Sequence, residues 1–239
     1  MKKLVVITGA SSGIGRATAI KFSEAGHPVL LLARRLERLE ELNLPNSMCR
    51  RVDVTDIESF KSAINEAEEK FGSVDCIVNN AGVMLLGNIQ TQDPIEWKKM
   101  LDVNVLGVLN GIKCVLDSMI KRNEGTIVNI SSIAGRKSFA DHAAYCATKF
   151  GVHGLTETIR EEIAPYNVRM TTIAPGVVET ELLSHTTSDT IKGGYEDWKK
   201  TIEGGIFPED IANAIFYAYS QPQTVCIREI VLAKTQQGA

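Results

Sequence analysis

The chain has no Cys-x-x-Cys pair; its five cysteines, Cys49, Cys76, Cys114, Cys146 and Cys226, stand far apart. That spacing excludes the common thiolate zinc and redox motifs. It fits a reduced protein whose thiols are all buried or half-buried, with no metal. Positive charge is not in excess either. The net charge of −3 gives no field that would draw nucleic acid or an acidic membrane surface. Long hydrophobic runs are missing too. The apolar run after Met1-Lys2-Lys3 stops at Ile7, before Thr8-Gly9, which is too short for the core of a signal peptide. No stretch approaches a membrane span, so a cytoplasmic protein with neither membrane nor nucleic-acid partners is expected. No repeat, low-complexity segment or linker divides the 239 residues, so residues 1–239 are read as a single domain.

What is present is an alternation of short apolar runs and longer amphipathic stretches. Strands are predicted at Lys3–Ile7, Val29–Ala33, Arg51–Val54 (the end of a third strand), Val74–Asn79, Thr126–Ile130, Val168–Ile173 and Arg228–Leu232. Helices are predicted at Ile14–Ala25, from a cap at Thr55 or Asp56 to Phe71, over Pro94–Arg122 and over Asp141–Ala164. Strands separated by helices imply right-handed crossovers. The fold class is α/β, a Rossmann fold with a seven-stranded, mostly parallel sheet and helices on both faces. Strands apolar along their whole length agree, because both faces of such a sheet are covered. The stretch Val177–Phe207 reads as irregular, and an irregular loop of that length is usually a functional lid or disordered.

The first strand runs into Thr8-Gly9-Ala10-Ser11-Ser12-Gly13-Ile14-Gly15 and directly into a helix. Glycines allow a sharp turn and close approach of a ligand. The helix start offers free N–H groups and partial positive charge to a pyrophosphate. The spacing is Gly-x-x-x-Gly-x-Gly and lacks the Lys-Ser/Thr ending of a nucleoside-triphosphate loop. An acidic residue at the end of the second strand would hold a ribose 2′-hydroxyl, whereas arginine accommodates a 2′-phosphate. The chain reads Ala33-Arg34-Arg35 there, so NADP(H) is expected in preference to NAD(H). The plainer alternative is that the arginines, with Arg38, solvate a helix start. Asp53 has two open readings, a contact to the adenine amine or a plain turn carboxylate.

Tyr145 and Lys149 share one face of a predicted helix. A phenol is a poor base at neutral pH; a nearby ammonium and an oxidised nicotinamide would favour its phenolate and suit it to acid/base work. Ser131-Ser132 follows the fifth strand, at the carboxyl end of the sheet where ligands bind. A serine there either polarises a substrate oxygen or caps a turn. Asn104 interrupts an apolar stretch and must find partners for its amide.

Together these blocks, with Asn79-Asn80-Ala81-Gly82 and Pro175-Gly176, resemble the short-chain dehydrogenases/reductases from end to end. The resemblance implies Tyr145 as general acid/base, Lys149 lowering its pKa and holding the nicotinamide ribose, and Ser132 orienting the substrate oxygen. It implies that Asn104 fixes a water in a relay to Lys149. The cofactor groove would be formed by Gly9, Ser11, Ser12, Gly13, Ile14, Gly15, Arg34, Arg35, Asp53, Val54, Asn80, Ala81 and Gly82. Pro175, Gly176, Val178 and Thr180 would meet the nicotinamide end. It further implies a small-molecule alcohol or carbonyl substrate, a homotetramer or dimer, and substrate choice residing in 177–207. The segments around Arg34 and Arg228 are similar to members acting on serine and 3-hydroxy acids and to clavulanate-type reductases. Two rival classes are a catalytically silent dinucleotide-binding sensor or scaffold, and a methyltransferase-like domain. The presence of Tyr145, Lys149 and Ser132 disfavours the first. The glycine spacing and the arginine pair disfavour the second.

Overall fold

The computed structural model describes residues 2–238. Strands β1 (Leu4–Thr8), β2 (Val29–Ala33), β3 (Ser47–Arg51), β4 (Val74–Asn79), β5 (Gly125–Ile130), β6 (Val168–Pro175) and β7 (Glu229–Leu232) form one sheet. Their order is β3-β2-β1-β4-β5-β6-β7, with every neighbouring pair parallel. The helices are α1 (Gly13–Glu24), α2 (Leu36–Glu40), α3 (Ile57–Phe71), α4 (Pro94–Leu101), α5 (Gly107–Arg122), α6 (Ala143–Glu162), α7 (Asp189–Thr201) and α8 (Pro208–Ser220).

The period-two alternation of strand side chains divides the core. Leu4, Val6, Leu30 and Leu32 pack with Phe60 and Ile64 of α3 and Val108 and Ile112 of α5. Val5, Ile7, Val29 and Leu31 point the other way, onto Phe22 of α1 and Ile211 and Ile215 of α8. Each strand residue therefore meets apolar partners whichever way it points. The chain crosses one way from β1 out to β3 and the other way from β4 onward, so the carboxyl ends of β1 and β4 part. That reversal leaves the crevice in which open α/β sheets bind ligands.

Several expectations are corrected. The third strand ends at Arg51; Val52 still bonds Ala33 O at 3.0 Å, after which an Asp53 turn takes over. Val177–Phe207 is not irregular. It contains a 3₁₀ turn at Glu181–His185 and the helix α7, capped by the Ser188 hydroxyl accepting from Ile191 N–H. Gly193-Gly194 and the lack of any buried residue in α7 hide its period. The helix α2 takes up the helix start considered for Arg34, Arg35 and Arg38, while α8 has no counterpart among the predicted elements. The Pro94–Arg122 helix is continuous, but Asp102–Leu106 widens into a π-turn. By length and composition this helix is apolar enough to cross a membrane, against the expectation that nothing approaches a span; 44% of its most apolar window is buried in the fold. Cys226 is exposed, unlike the other four thiols.

Candidate active site

Thr8 joins the two strand ends at the crevice. Its hydroxyl accepts the N–H groups of Asn80 (2.9 Å) and Ala81 (3.0 Å). The Asn80 amide donates to the carbonyls of Thr8 (2.9 Å) and Gly9 (3.3 Å), bracing the glycine loop from beneath. Gly9 turns with φ +65°. A Cβ on Gly15 would collide with Gly9 O and stand 2.6 Å from the Asn80 amide. The loop thus folds tightly on itself before α1. Ser12, at the N-cap of α1, makes no capping bond, and the first turn holds no acidic residue. The partial positive charge of that helix end is therefore left uncompensated.

A cavity of about 1010 Å³ opens on this loop. It touches every residue predicted for the cofactor except Gly15, and Ser132, Tyr145 and Lys149 among the catalytic four. Arg35 donates to the hydroxyls of Ser11 (3.2 Å) and Ser12 (3.1 Å), and exposed Arg34 shares the rim. Asp53 takes its turn role: its Oδ1 accepts from Thr55 N–H (3.0 Å) and the Thr55 hydroxyl (2.8 Å) while the residue still lines the cavity. An uncapped helix start, guanidiniums at one end and a buried tyrosine-lysine pair at the other suit a dinucleotide phosphate chain, a 2′-phosphate and a nicotinamide in turn.

At the far end Tyr145 is 6% exposed, in a cluster with Met84, Leu86, Leu183 and Met100. Burial pushes its phenol well above the ordinary range, with the Ser132 hydroxyl pulling the other way. Lys149 does not offset that rise. Burial pushes its own pKa down to about 8; its Nζ donates to Ile130 O at 3.0 Å and lies 5.7 Å from the Tyr145 ring centre. Ser132 also serves as a cap: its Oγ accepts from Ala134 N–H at 3.0 Å and faces the same cavity. Asn104 lies in the π-turn, a deformation frequent at functional sites. Its amide is committed to both backbone groups of Val83 (2.8 and 2.9 Å) and to the Thr148 hydroxyl (3.1 Å). It therefore fixes the strand exit beside Lys149.

Sequence reasoning missed the wall opposite Tyr145. Phe139, His142 and Tyr195 line the cavity with Trp198 and His185. The last two are half-buried. His142 stacks within 6.4 Å of both Tyr145 and Tyr195, and Tyr195 meets Trp198 edge-on at 5.5 Å. Gln237 was missed as well: its side chain accepts Val177 N–H at 3.0 Å. Behind the site, Ser131, His153 and Glu229 form a bonded chain (2.9 and 3.0 Å) that ends on Arg136 (2.9 Å).

Fold and site together define a doubly wound α/β domain with a glycine-loop cavity and a tyrosine-lysine-serine pocket at the carboxyl ends of its strands. Residues 3–191 match the family described as short chain dehydrogenase. The chain is 39% identical over 242 residues to an uncharacterised oxidoreductase of Staphylococcus saprophyticus, covering 99% of this chain and 97% of that protein. Among solved structures it resembles the closed form of a serine dehydrogenase complexed with NADP+ (TM-score 0.91, 30% identity, 99% and 96% covered). It also resembles an alcohol dehydrogenase of Thermococcus sibiricus complexed with 5-hydroxy-NADP (TM-score 0.87, 27% identity, 100% and 99% covered). The chain belongs to the short-chain dehydrogenase family and is one of its oxidoreductases.

Proposed function

We propose that the protein is an NADP(H)-dependent oxidoreductase interconverting a secondary alcohol and its carbonyl compound. The observation that carries this reading is the continuity of one cavity from Arg34 and Arg35, past the uncapped start of α1, to Tyr145 and Ser132. When bound, the nicotinamide supplies or accepts the hydride. Arg35 and Arg34 hold the 2′-phosphate, and Gly9 to Gly15 with the α1 N-terminus hold the pyrophosphate. Val54, Ala81 and Gly82 shape the adenosine groove, and Pro175, Gly176, Val178 and Thr180 close the nicotinamide end. Ser132 donates a hydrogen bond to the substrate oxygen. Tyr145, protonated because it is buried, delivers a proton to that oxygen in reduction; in oxidation it first gives up its own proton, and the phenolate then takes the alcohol's. Lys149, with its pKa near neutrality, exchanges the proton onward. Asn104 keeps the Gly82-Val83 backbone beside it.

Substrate choice falls to the wall formed by Phe139, His142, Tyr195 and Trp198, of which the 177–207 segment supplies the last two and the loop before α6 the first two. The exposed apolar residues Ile95, Leu101, Leu106 and Leu109 on the Pro94–Arg122 helix and Phe150 on α6 support a homo-oligomer built on that face. The test of the chemistry is Tyr145→Phe, assayed with NADPH against a panel of ketones, sugars and hydroxy acids. Turnover should fall by roughly a thousandfold or more, while NADPH fluorescence titrates as in the wild type. Retained turnover would place the proton on another residue.

A further inference from the structure

The sequence offers no carboxylate at the end of β2, in Ala33-Arg34-Arg35, yet the structure brings one there from elsewhere. Glu181 opens the 3₁₀ turn that follows Thr180. Its Oε2 accepts from Arg35 Nη1 at 3.1 Å, and its two oxygens accept from Arg38 Nη1 at 2.8 and 3.1 Å. The segment lies directly on the glycine loop: a Cβ on Gly13 would stand 2.9 Å from the Thr180 methyl. The same Arg35 reaches Ser11 and Ser12 with its other nitrogen. One guanidinium is therefore shared between the glycine loop and the Glu181 carboxylate, at the mouth of the cavity both residues line.

We propose that Glu181 is an internal competitor for the 2′-phosphate of NADP(H), and so sets how strongly the protein prefers that cofactor over NAD(H). This rests on the assignment of Arg35 to that phosphate. Arg38 and Arg35 hold the Glu181 carboxyl below the usual carboxylate range, so the competitor is charged at neutral pH. The ion pairs are open to solvent, with 41% of each guanidinium side chain and 49% of the Glu181 side chain exposed. Exposed pairs of this kind are weak, about 0–1 kcal/mol. A phosphate dianion brings more charge and more acceptor oxygens to the same fork and displaces the carboxylate. The neutral 2′-hydroxyl of NAD(H) cannot. Only the phosphorylated cofactor has to break the Glu181 contact, so only its affinity is held down by it. Among the described residues no other carboxylate is bonded to Arg35 or Arg38.

The experiment compares dissociation constants for NADPH and NADH, by cofactor fluorescence, in the wild type, Glu181→Gln and Arg35→Ala. Glutamine keeps the size and removes the charge. The NADPH over NADH preference should rise about fivefold in Glu181→Gln and fall in Arg35→Ala. A wild-type preference for NADPH that Glu181→Gln leaves within about twofold, or an equal gain for both cofactors, overturns this proposal alone. If the wild type binds both cofactors alike and Arg35→Ala leaves that equality in place, the phosphate assignment falls and the proposal falls with it.

Discussion

The two walls of the cavity are built by different means. The wall formed by the ends of β1, β2 and β4 is mostly backbone: positive-φ glycines, an uncapped helix start, and Thr8 and Asn80 knitting two buried strands together. The wall formed by residues 177–207 is mostly side chains. It rests on a helix with no buried residue, on ion pairs reaching across the cavity mouth from Arg35 and Arg38 to Glu181, on the Lys199–Glu179 pair within it, and on one isolated backbone bridge, Val178 to Ile206. The first wall has a fixed shape before any ligand arrives. The second is anchored by buried Leu183 and by the Thr186 hydroxyl, bonded to Leu86 N–H and Met84 O, but its other contacts are ones that solvent, salt or a ligand can replace, the low-stability end from which moving elements are drawn.

The sharpest way to break this contrast is at Gly15. An alanine methyl there has only the Gly9 carbonyl and the Asn80 amide to push against, and both belong to the rigid wall. Gly15→Ala should destabilise the fold by about 2–3 kcal/mol, lowering Tm by roughly 5–10 °C, and should abolish cofactor binding. A variant that melts like the wild type and still titrates NADPH would show that the backbone wall yields after all.

Lys149, on α6 beside the end of β5, separates stability from activity at the catalytic end of the cavity. Its pKa falls from 10.5 unfolded to about 8 folded. Below pH 8 both states are charged, and the folded state carries the whole cost of burying the ammonium. Between pH 8 and 10.5 the unfolded chain holds the extra proton, so the cost fades as pH rises. Lys149→Met, an apolar replacement of similar length, should therefore stabilise the protein by about 2 kcal/mol at pH 7 while turnover collapses. Thermal melts at pH 7 and pH 10 check this: the advantage should shrink at the higher pH. A less stable variant at pH 7 would mean that the bond to Ile130 O outweighs burial.

Legibility in the sequence follows the same division. The backbone wall could be read because glycine spacing, strand-helix alternation and continuous apolar strands are local signals that the sheet register then enforces. Arg34 and Arg35 could be read because their place at the end of β2 is local too. Glu181 could not: its partners lie 146 and 143 positions away, and nothing in Glu181-Leu182-Leu183 announces them. The helix α7 is hard to read because Gly193-Gly194 interrupts it and its stripe, Ile191, Tyr195 and Trp198, is short and only half-buried. The Ser131–His153–Glu229 chain was hidden because it joins β5, α6 and β7 only after folding. The π-turn that aims Asn104 inward leaves no mark on a stretch that reads as ordinary helix. A lowered Tyr145 pKa was expected from its spacing to Lys149; the burial that opposes it depends on Met84, Leu86 and Leu183 arriving from elsewhere in the chain.

Glu179 tests the softer wall with the smallest effect. One of its oxygens accepts Gly205 N–H at 2.7 Å and the other accepts Lys199 Nζ at 2.6 Å, tying the end of α7 and the turn after it to the strand exit at Val178. Those partners hold its carboxyl below the ordinary range. Its contribution is accordingly full above the unfolded carboxylate range and is lost as pH falls through the lower folded value. The carboxylate side chain is 35% exposed, so Glu179→Gln should cost about 1 kcal/mol or less and lower Tm by about 2–4 °C. Glutamine can still accept from Gly205 but loses the charge facing Lys199. The loosened wall should then raise KM for the substrate more than the NADPH dissociation constant, because the cofactor rests mostly on the other wall and meets this one only at Val178, Thr180 and the Glu181 contact. A matching rise in both constants would mean that the two walls move together. In that case the two walls would differ in how they are built but not in how they behave.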